Sequence, residues 1–220
     1  WGSTIGAVAG PNLMQPSGDF ARKLGFPELV GPYFISAITL TLAAAVILIF
    51  LRPDPYLTAN KLSSEKQEQI TNKLALKHIL GNKLARFAIA AITVGHVAMV
   101  SVMVMTPIHM AHVDVTLRII GIVISIHVLG MYAFSPVVGL VSDRIGGVAT
   151  IKIGLATLLI SSVIAGTSPA GDAIRLGVGL FLLGLGWSCT LIAGSTLLSQ
   201  TGELNLKSAS KGASDLVMNL

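Results

Sequence analysis

Charged residues are scarce in this chain of 220 residues: only 11% are Asp, Glu, Lys or Arg, whereas 53% are hydrophobic. A soluble domain usually carries about 25% charged residues. Several apolar stretches are long enough to cross a bilayer, which takes roughly 20 residues as a helix. The shortage of charge therefore excludes an ordinary soluble domain and predicts an integral membrane protein.

Cysteine is rare, and the common catalytic motifs are missing. The single cysteine, Cys189, lies in an apolar run without metal ligands nearby and has no partner for an internal disulfide, so we interpret it as a small buried hydrophobic residue. The sequence holds no His-Glu-x-x-His, no nucleophile elbow and no phosphate-binding loop. We therefore expect neither an enzyme nor a bound cofactor.

Aromatic residues make up only 5% of the chain, and they are not interleaved with basic residues as in many nucleic-acid-binding proteins. Lys and Arg nevertheless outnumber Asp and Glu by 15 to 10. In membrane proteins such residues gather in cytoplasmic loops and contact anionic lipid. The expected partner of this positive charge is the lipid bilayer, and no binding of nucleic acid is expected.

Six apolar segments predict membrane spans, and the start of a seventh follows. An initiator Met and a cleavable signal peptide are both absent, and both ends of the chain fall inside segments of helical character, so we interpret the chain as an internal fragment. The six segments cover residues up to about 15, 32–51, 86–110, 117–141, 148–168 and 174–199, and the seventh begins near 212.

A polar stretch at 53–85 separates the second and third spans. Ser64 and Gln67 resemble a capping box, and Gly81 could end the helix that they begin. Apolar residues alternate there with lysines, which predicts an amphipathic helix on the membrane surface; a flexible tether is the alternative. Eleven Lys and Arg residues fall in the set of loops that includes this linker and four in the other set, which makes 53–85 cytoplasmic.

A short charged turn, Gly139-Leu-Val-Ser-Asp-Arg-Ile-Gly-Gly147, joins the fourth and fifth spans. An Asp-Arg pair in this position requires the polar boundary of the membrane and suitable partners. Gly139 predicts close approach to a neighbouring helix, and Gly146 with Gly147 predicts a backbone bend. The turn is therefore expected to be a cytoplasmic hinge.

This turn resembles the loop motif of the major facilitator superfamily of secondary transporters. Gly139, Asp143, Arg144 and Gly146 match the motif, whereas Gly147 stands where the family has a basic residue. The family carries the motif between spans 2 and 3 and again between spans 8 and 9, with a long linker between spans 6 and 7. Counting from 53–85 makes the segments spans 5 to 10 and the start of span 11.

The resemblance implies an all-α helical bundle of the superfamily type. It divides the chain into the end of the N-terminal bundle (1–52), a cytoplasmic linker (53–85) and most of the C-terminal bundle (86–220). The loop motif is expected to act as a conformational latch, with Asp143 near the positive N-terminal end of a neighbouring helix. The alternative is a charge pair that only fixes topology.

Gly6, Gly10 and Pro11 resemble the Gly-Pro packing motif that antiporters of this superfamily carry on span 5, although Met14 and Gln15 replace its closing glycines. The implied function is alternating-access transport of a small molecule, with proton-coupled export and a plasma (inner) membrane location. The alternatives are a proton-symport importer and a receptor that has the fold but does not transport.

Polar residues inside the spans are the candidates for the transport path. His96 lies ten residues from Arg86 and His127 nine residues from Arg118, so that both approach the membrane midplane, where such transporters bind substrate. Met103 shares a helix face with His96, and Met131 shares one with His127. We expect these side chains to line a cavity or to carry protons; hydrogen bonding to a neighbouring helix is the alternative.

Two further polar features lie near span ends. Asp215, at the start of span 11, is a candidate proton relay or a partner in an interfacial ion pair. His109, His112 and Asp114 form a loose cluster at the outer end of span 7, which we interpret as a polar helix end. No metal site is predicted.

Overall fold

The computed structural model describes residues 2–53, 58, 77, 79–112, 116–169, 171–201 and 204–219. These residues form helices and connecting turns, and no strand occurs among them. The short 3-10 helix Glu28–Val30 precedes the third α-helix. The α-helices are α1 Gly2–Asn12, α2 Met14–Lys23, α3 Gly31–Phe50, α4 Lys83–His112, α5 Leu117–Tyr132, α6 Ser135–Ile145, α7 Gly147–Gly166, α8 Ala173–Gln200 and α9 Leu204–Asn219.

Five helical stretches of the described residues are long and apolar enough to cross a membrane, and they coincide with five of the predicted spans. The first predicted segment contains the 11-residue helix α1, and the seventh falls in the 16-residue helix α9. The expectation of an all-α membrane protein is confirmed. The five stretches are Glu28–Phe50, Lys83–Met110, Arg118–Ile145, Gly147–Gly166 and Ala173–Gln200.

Two local signals set helix boundaries that differ from the predicted ones. The Asn82 side chain accepts hydrogen bonds from the backbone N–H groups of Leu84 and Ala85, so that α4 begins at Lys83 and not at Arg86. The predicted span 117–141 is interrupted after Tyr132, since α6 starts only after two turn residues, at Ser135, with Pro136 in its first turn. Proline lacks the N–H that a continuous helix would need.

The chain divides into two compact units, one of residues 12–69 and the other of residues 1–11 with 70–220. In the first unit α2 packs against α3 at Gly31, where a Cβ atom would lie 2.2 Å from the Ser17 carbonyl oxygen. Arg22 pairs there with Asp19 and lies 3.6 Å from Glu28. The hydrogen bond to Asp19, together with the attraction of Glu28, raises the pKa of Arg22. The predicted division at 53 and 86 stays a prediction.

Helix α8 is the centre of the second unit and packs against α4, α5 and α7. It crosses α5 closely, because a Cβ atom at Gly184 would lie 2.3 Å from the His127 carbonyl oxygen. It crosses α7 closely as well, because a Cβ atom at Gly186 would lie 2.9 Å from the Gly154 carbonyl oxygen. Such contacts between backbones are typical of helices packed in membranes.

The linker prediction falls largely on residues outside the described part of the chain. Of its last residues, Ile79 is 4% exposed and belongs to a buried cluster with Ala85, Ala88, Ile151 and Leu197. The amphipathic helix expected between Ser64 and Gly81 lies largely outside the described residues. Its end is anchored on α4, α7 and α8.

Candidate functional site

A hydrogen bond between two side chains links α4 to α8. The indole Nε1–H of Trp187 donates to Nδ1 of His96 at 3.2 Å. Trp187 is buried, whereas His96 is partly exposed. Because Nδ1 accepts this bond, His96 is neutral in this arrangement and carries its proton on Nε2.

The Trp187 ring also contacts a third helix and belongs to a buried core. The Tyr132 ring meets Trp187 edge to face, with centroids 6.0 Å apart, so that α5 joins α4 and α8 at this level. Met99 lies in the same buried core as Trp187, and Met103 and Met131 pack against that core. His96 is connected to this core through its hydrogen bond with Trp187. The interpretation that His96, Met103 and Met131 line a cavity stays a prediction.

His127 lies in a different environment. Its side chain is 2% exposed, and Nδ1 lies 2.8 Å from the carbonyl oxygen of Leu180. Only a protonated nitrogen can donate to a carbonyl, so the proton is on Nδ1, and Nε2 has no hydrogen-bond partner among the described residues. Leu180 and Trp187 are seven residues apart on α8, about 10 Å along the axis. The structure does not bring His127 and His96 together.

The predicted charged turn is mostly helical: residues 139–145 form the last part of α6, and only Gly146 lies between α6 and α7. Asp143 and Arg144 are exposed, and neither forms an ion pair within the described part of the chain. Gly146 has φ +88°, which explains the bend. The close approach expected at Gly139 is not found in the described residues, where no atom lies within 4 Å of an added Cβ; it occurs at Gly147, 2.8 Å from Leu197.

The Gly-Pro motif predicted on span 5 likewise shows no close contact with another described helix at its glycines. Added Cβ atoms at Gly6 and Gly10 would meet no atom of the described residues, and Pro11 lies in the last turn of α1. The contact of α1 with α5 is instead a hydrogen bond from the Ser125 hydroxyl to the Val8 carbonyl oxygen at 3.2 Å. The glycine ridge remains a prediction about the packing of the full-length protein.

Asp215 forms an ion pair with Lys211 at 3.0 Å on the same face of α9. The Lys211 ammonium also donates to the hydroxyl of Ser195 on α8 at 3.3 Å. Both charged side chains are about half exposed, at 46% for Lys211 and 49% for Asp215. This geometry agrees with the ion-pair alternative for Asp215.

His109 is exposed on α4, while the side chain of His112 and the whole of Asp114 lie outside the described residues. Over the described ranges there is no group of three or more His, Cys, Asp or Glu side chains that could hold a metal. Cys189 is free and 8% exposed, in agreement with its interpretation as a small buried residue.

Sequence reasoning overlooked Trp187, which donates a hydrogen bond to His96, and Tyr132, whose ring contacts Trp187. The available signal was a tryptophan inside the glycine-rich segment Gly184-Leu-Gly-Trp-Ser-Cys-Thr190 of a long apolar run. A buried indole N–H requires an acceptor, and an imidazole at membrane depth is a suitable one. That signal predicts a hydrogen bond without naming its partner.

Comparison with known proteins relates the whole chain to one family. The model of the Major Facilitator Superfamily matches residues 1–219. Two uncharacterized MFS-type transporters of Bacillus subtilis (strain 168) are similar: YdeG is 36% identical over 220 residues and YddS 34% identical over 221 residues. Each comparison covers 99% of this chain but only 51% of the relative, so the chain spans about half the length of these proteins. No solved structure matches the chain.

Proposed function

Because the chain belongs to the major facilitator superfamily, we propose that the full-length protein is a secondary transporter that moves a small molecule by alternating access. The observation that carries this proposal is the family match over residues 1–219. The relatives YdeG and YddS, both described as transporters, agree with it. The same family relationship points to a transporter and not to an enzyme.

Protons are the proposed coupling ion, and His96 is the proposed carrier within this chain. It is partly exposed, lies near the middle of a membrane span, and is hydrogen-bonded across to a second span. Imidazole changes its charge near neutral pH, so that a proton can bind and leave during a transport cycle. Asp215 is a weaker candidate, since Lys211 already neutralises it.

Export is the proposed direction, on the basis of Gly6, Gly10 and Pro11 in α1. The proposed location is the plasma (inner) membrane, with residues 53–85 on the cytoplasmic side because this region is rich in lysine. An importer driven by proton symport would use the same residues with the opposite direction of flux. A receptor with this fold would bind a ligand without any flux.

Full-length protein in vesicles loaded with the pH indicator pyranine tests the proposal. A panel of small organic solutes is added on one side, and proton movement is recorded for vesicles with and without protein. We expect at least one solute to drive proton movement opposite to its own. Proton movement in the same direction as the solute would contradict export, and solute binding without any flux would contradict transport.

The Asp143→Asn substitution tests the latch proposed for the Gly139–Gly147 turn. A carboxylate at a helix N-terminus contributes about 0.3–2 kcal/mol, so its loss changes the ratio of inward-open to outward-open protein by about 2- to 30-fold. Spin-label distances across the cytoplasmic side measure that ratio. The control is Lys152→Gln, which removes an exposed charge from α7 five residues beyond that turn. An unchanged ratio in Asp143→Asn, with normal amounts in the membrane, would show that Asp143 is not a latch.

A further inference from the structure

The hydrogen bond between Trp187 and His96 can form in only one protonation state of His96. Indole nitrogen is a donor and never an acceptor, so the imidazole Nδ1 must offer its lone pair. A protonated imidazole carries hydrogen on both ring nitrogens and cannot accept this bond. The 3.2 Å contact between Nε1 and Nδ1 therefore belongs to neutral His96 alone.

Burial of Trp187 makes the loss of this bond consequential. Trp187 is 6% exposed, and the bond to His96 is the hydrogen bond that Nε1 makes among the described residues. A buried donor without an acceptor is unfavourable, so Trp187 must change its position when His96 gains a proton. Tyr132 contacts the indole ring and therefore connects such a movement to α5.

We propose that Trp187 is a positioning residue that couples the protonation state of His96 to α8. Its hydrogen bond to His96 forms only when His96 is neutral, and this bond links α4 to α8. In the neutral state the indole holds the imidazole and links α4 to α8. A proton taken up from water on Nδ1 breaks that link, and its release restores the link. The inference rests on the proposed proton coupling for its role in transport, while the bond and its protonation dependence are properties of this chain.

Few other titratable groups lie on the helices packed against α4. They are Lys152 on α7, Arg175 and Cys189 on α8, and Lys211 and Asp215 on α9, together with Lys207 on α9, whose side chain lies outside the described residues. None forms a hydrogen bond or an ion pair with His96 in the described part of the chain, and neither does Tyr132 beside Trp187. Trp187 is accordingly the group through which a proton on His96 acts on the neighbouring helix.

Ultraviolet resonance Raman spectroscopy of the full-length protein in lipid tests the bond without any substrate. The indole band that reports N–H hydrogen bonding is recorded at pH 8 and pH 5, and the spectrum of Trp187→Phe is subtracted to isolate Trp187. We expect a bonded indole at pH 8 and a changed band at pH 5. The same Trp187 band at both pH values would overturn the proposal.

Two histidine variants identify the group that titrates. His96→Gln keeps a neutral acceptor at this position, so its Trp187 band should stay in the bonded state at both pH values. His109→Gln, the same change at an exposed position of α4, should behave as the wild type. A pH-dependent Trp187 band that persists in His96→Gln would overturn the proposal, because another group would then control the indole.

A pH profile separates a positioning role from simple packing. Trp187→Phe keeps an aromatic ring but removes the bond that favours neutral His96, so the midpoint of proton flux in the pyranine assay should rise by roughly 0.4 to 1 pH unit. An unchanged midpoint would assign Trp187 to packing only. If the Raman band changes with pH but flux does not depend on protons, the proposed proton coupling fails and the Trp187 inference stands. If flux is coupled to protons but the band is constant, the Trp187 inference fails and the proposed coupling stands.

Discussion

The crossing of α5 and α8 predicts that Gly184→Ala destabilises the protein. A Cβ atom at Gly184 would lie 2.3 Å from the His127 carbonyl oxygen and 2.9 Å from the Met131 backbone nitrogen. Carbon atoms pack favourably at about 3.5–4.0 Å, so the two helices would have to separate by roughly 1 Å. No side-chain rotation relieves the clash, since both nearest atoms belong to the backbone.

The magnitude follows from three contributions. Overpacking costs about 1–3 kcal/mol. Separation also stretches the 2.8 Å bond between His127 and Leu180, and such bonds contribute about 0.6–1.7 kcal/mol in membranes. Alanine recovers about 1 kcal/mol through its higher helix propensity. The net loss is therefore about 0.6–3.7 kcal/mol.

Gly177→Ala is the matched control on the same helix. Its added Cβ would find only the Ile126 side chain, at 3.8 Å, an ordinary contact. This variant gains helix propensity without a clash and should be as stable as the wild type or more stable. The two substitutions are chemically identical. A loss of stability in Gly184→Ala but not in Gly177→Ala would therefore be an effect of the close crossing.

Thermal unfolding of the full-length protein in detergent measures both variants. We expect the Tm of Gly184→Ala to fall, by about 1–2 °C for each kcal/mol in a protein of twice this length, and that of Gly177→Ala to stay or rise. Equal Tm values for the two variants would refute the reasoning, because they would mean that α5 and α8 do not approach each other closely at Gly184.

Three further substitutions test other parts of the structure. Gly146→Ala places a side chain at φ +88° and ψ 150°, so we expect a loss of about 1–3 kcal/mol and a lower Tm than for Gly139→Ala, which has open space among the described residues. His127→Leu removes the bond to Leu180 but leaves His96 in place, so Tm should fall modestly while the pH profile of proton flux is unchanged; a lost pH dependence would make His127 a proton carrier. Asp215→Asn breaks a half-exposed ion pair, for which we expect a cost below about 1 kcal/mol and normal flux; abolished flux would support a relay role for Asp215.

The spans were predictable from the sequence because hydrophobic length is a local property. The long apolar runs form long helices, and the run that contains Pro136 forms two. That interruption is also predictable, because proline has no backbone N–H to donate to a continuous helix. The start of α4 at Lys83 was missed because Arg86 was taken as the membrane boundary, whereas Asn82 determines where the backbone turns helical.

The candidate site was only partly predictable because its essential contacts join distant residues. His96 and His127 both lie near the middle of a span, so their depth in the membrane does not distinguish their roles. Their partners separate them: His96 accepts a hydrogen bond from Trp187, whereas His127 donates one to Leu180. Which nitrogen carries the proton depends on residues 91 and 53 positions away, and no local pattern contains that information.

The contacts of α8 with α4, α5 and α7 differ in how readily they can change. Against α5 and α7 its glycines meet backbone atoms, and such contacts can be altered only by moving a helix. Against α4, an added Cβ at Gly95 would meet the Thr190 side chain, and the neighbouring link is the side-chain bond from Trp187 to His96. Side chains can rotate while the helix axes stay in place. A proton on His96 can therefore change the contact of α4 with α8 without moving a helix, because this contact combines a titratable group with contacts made by side chains.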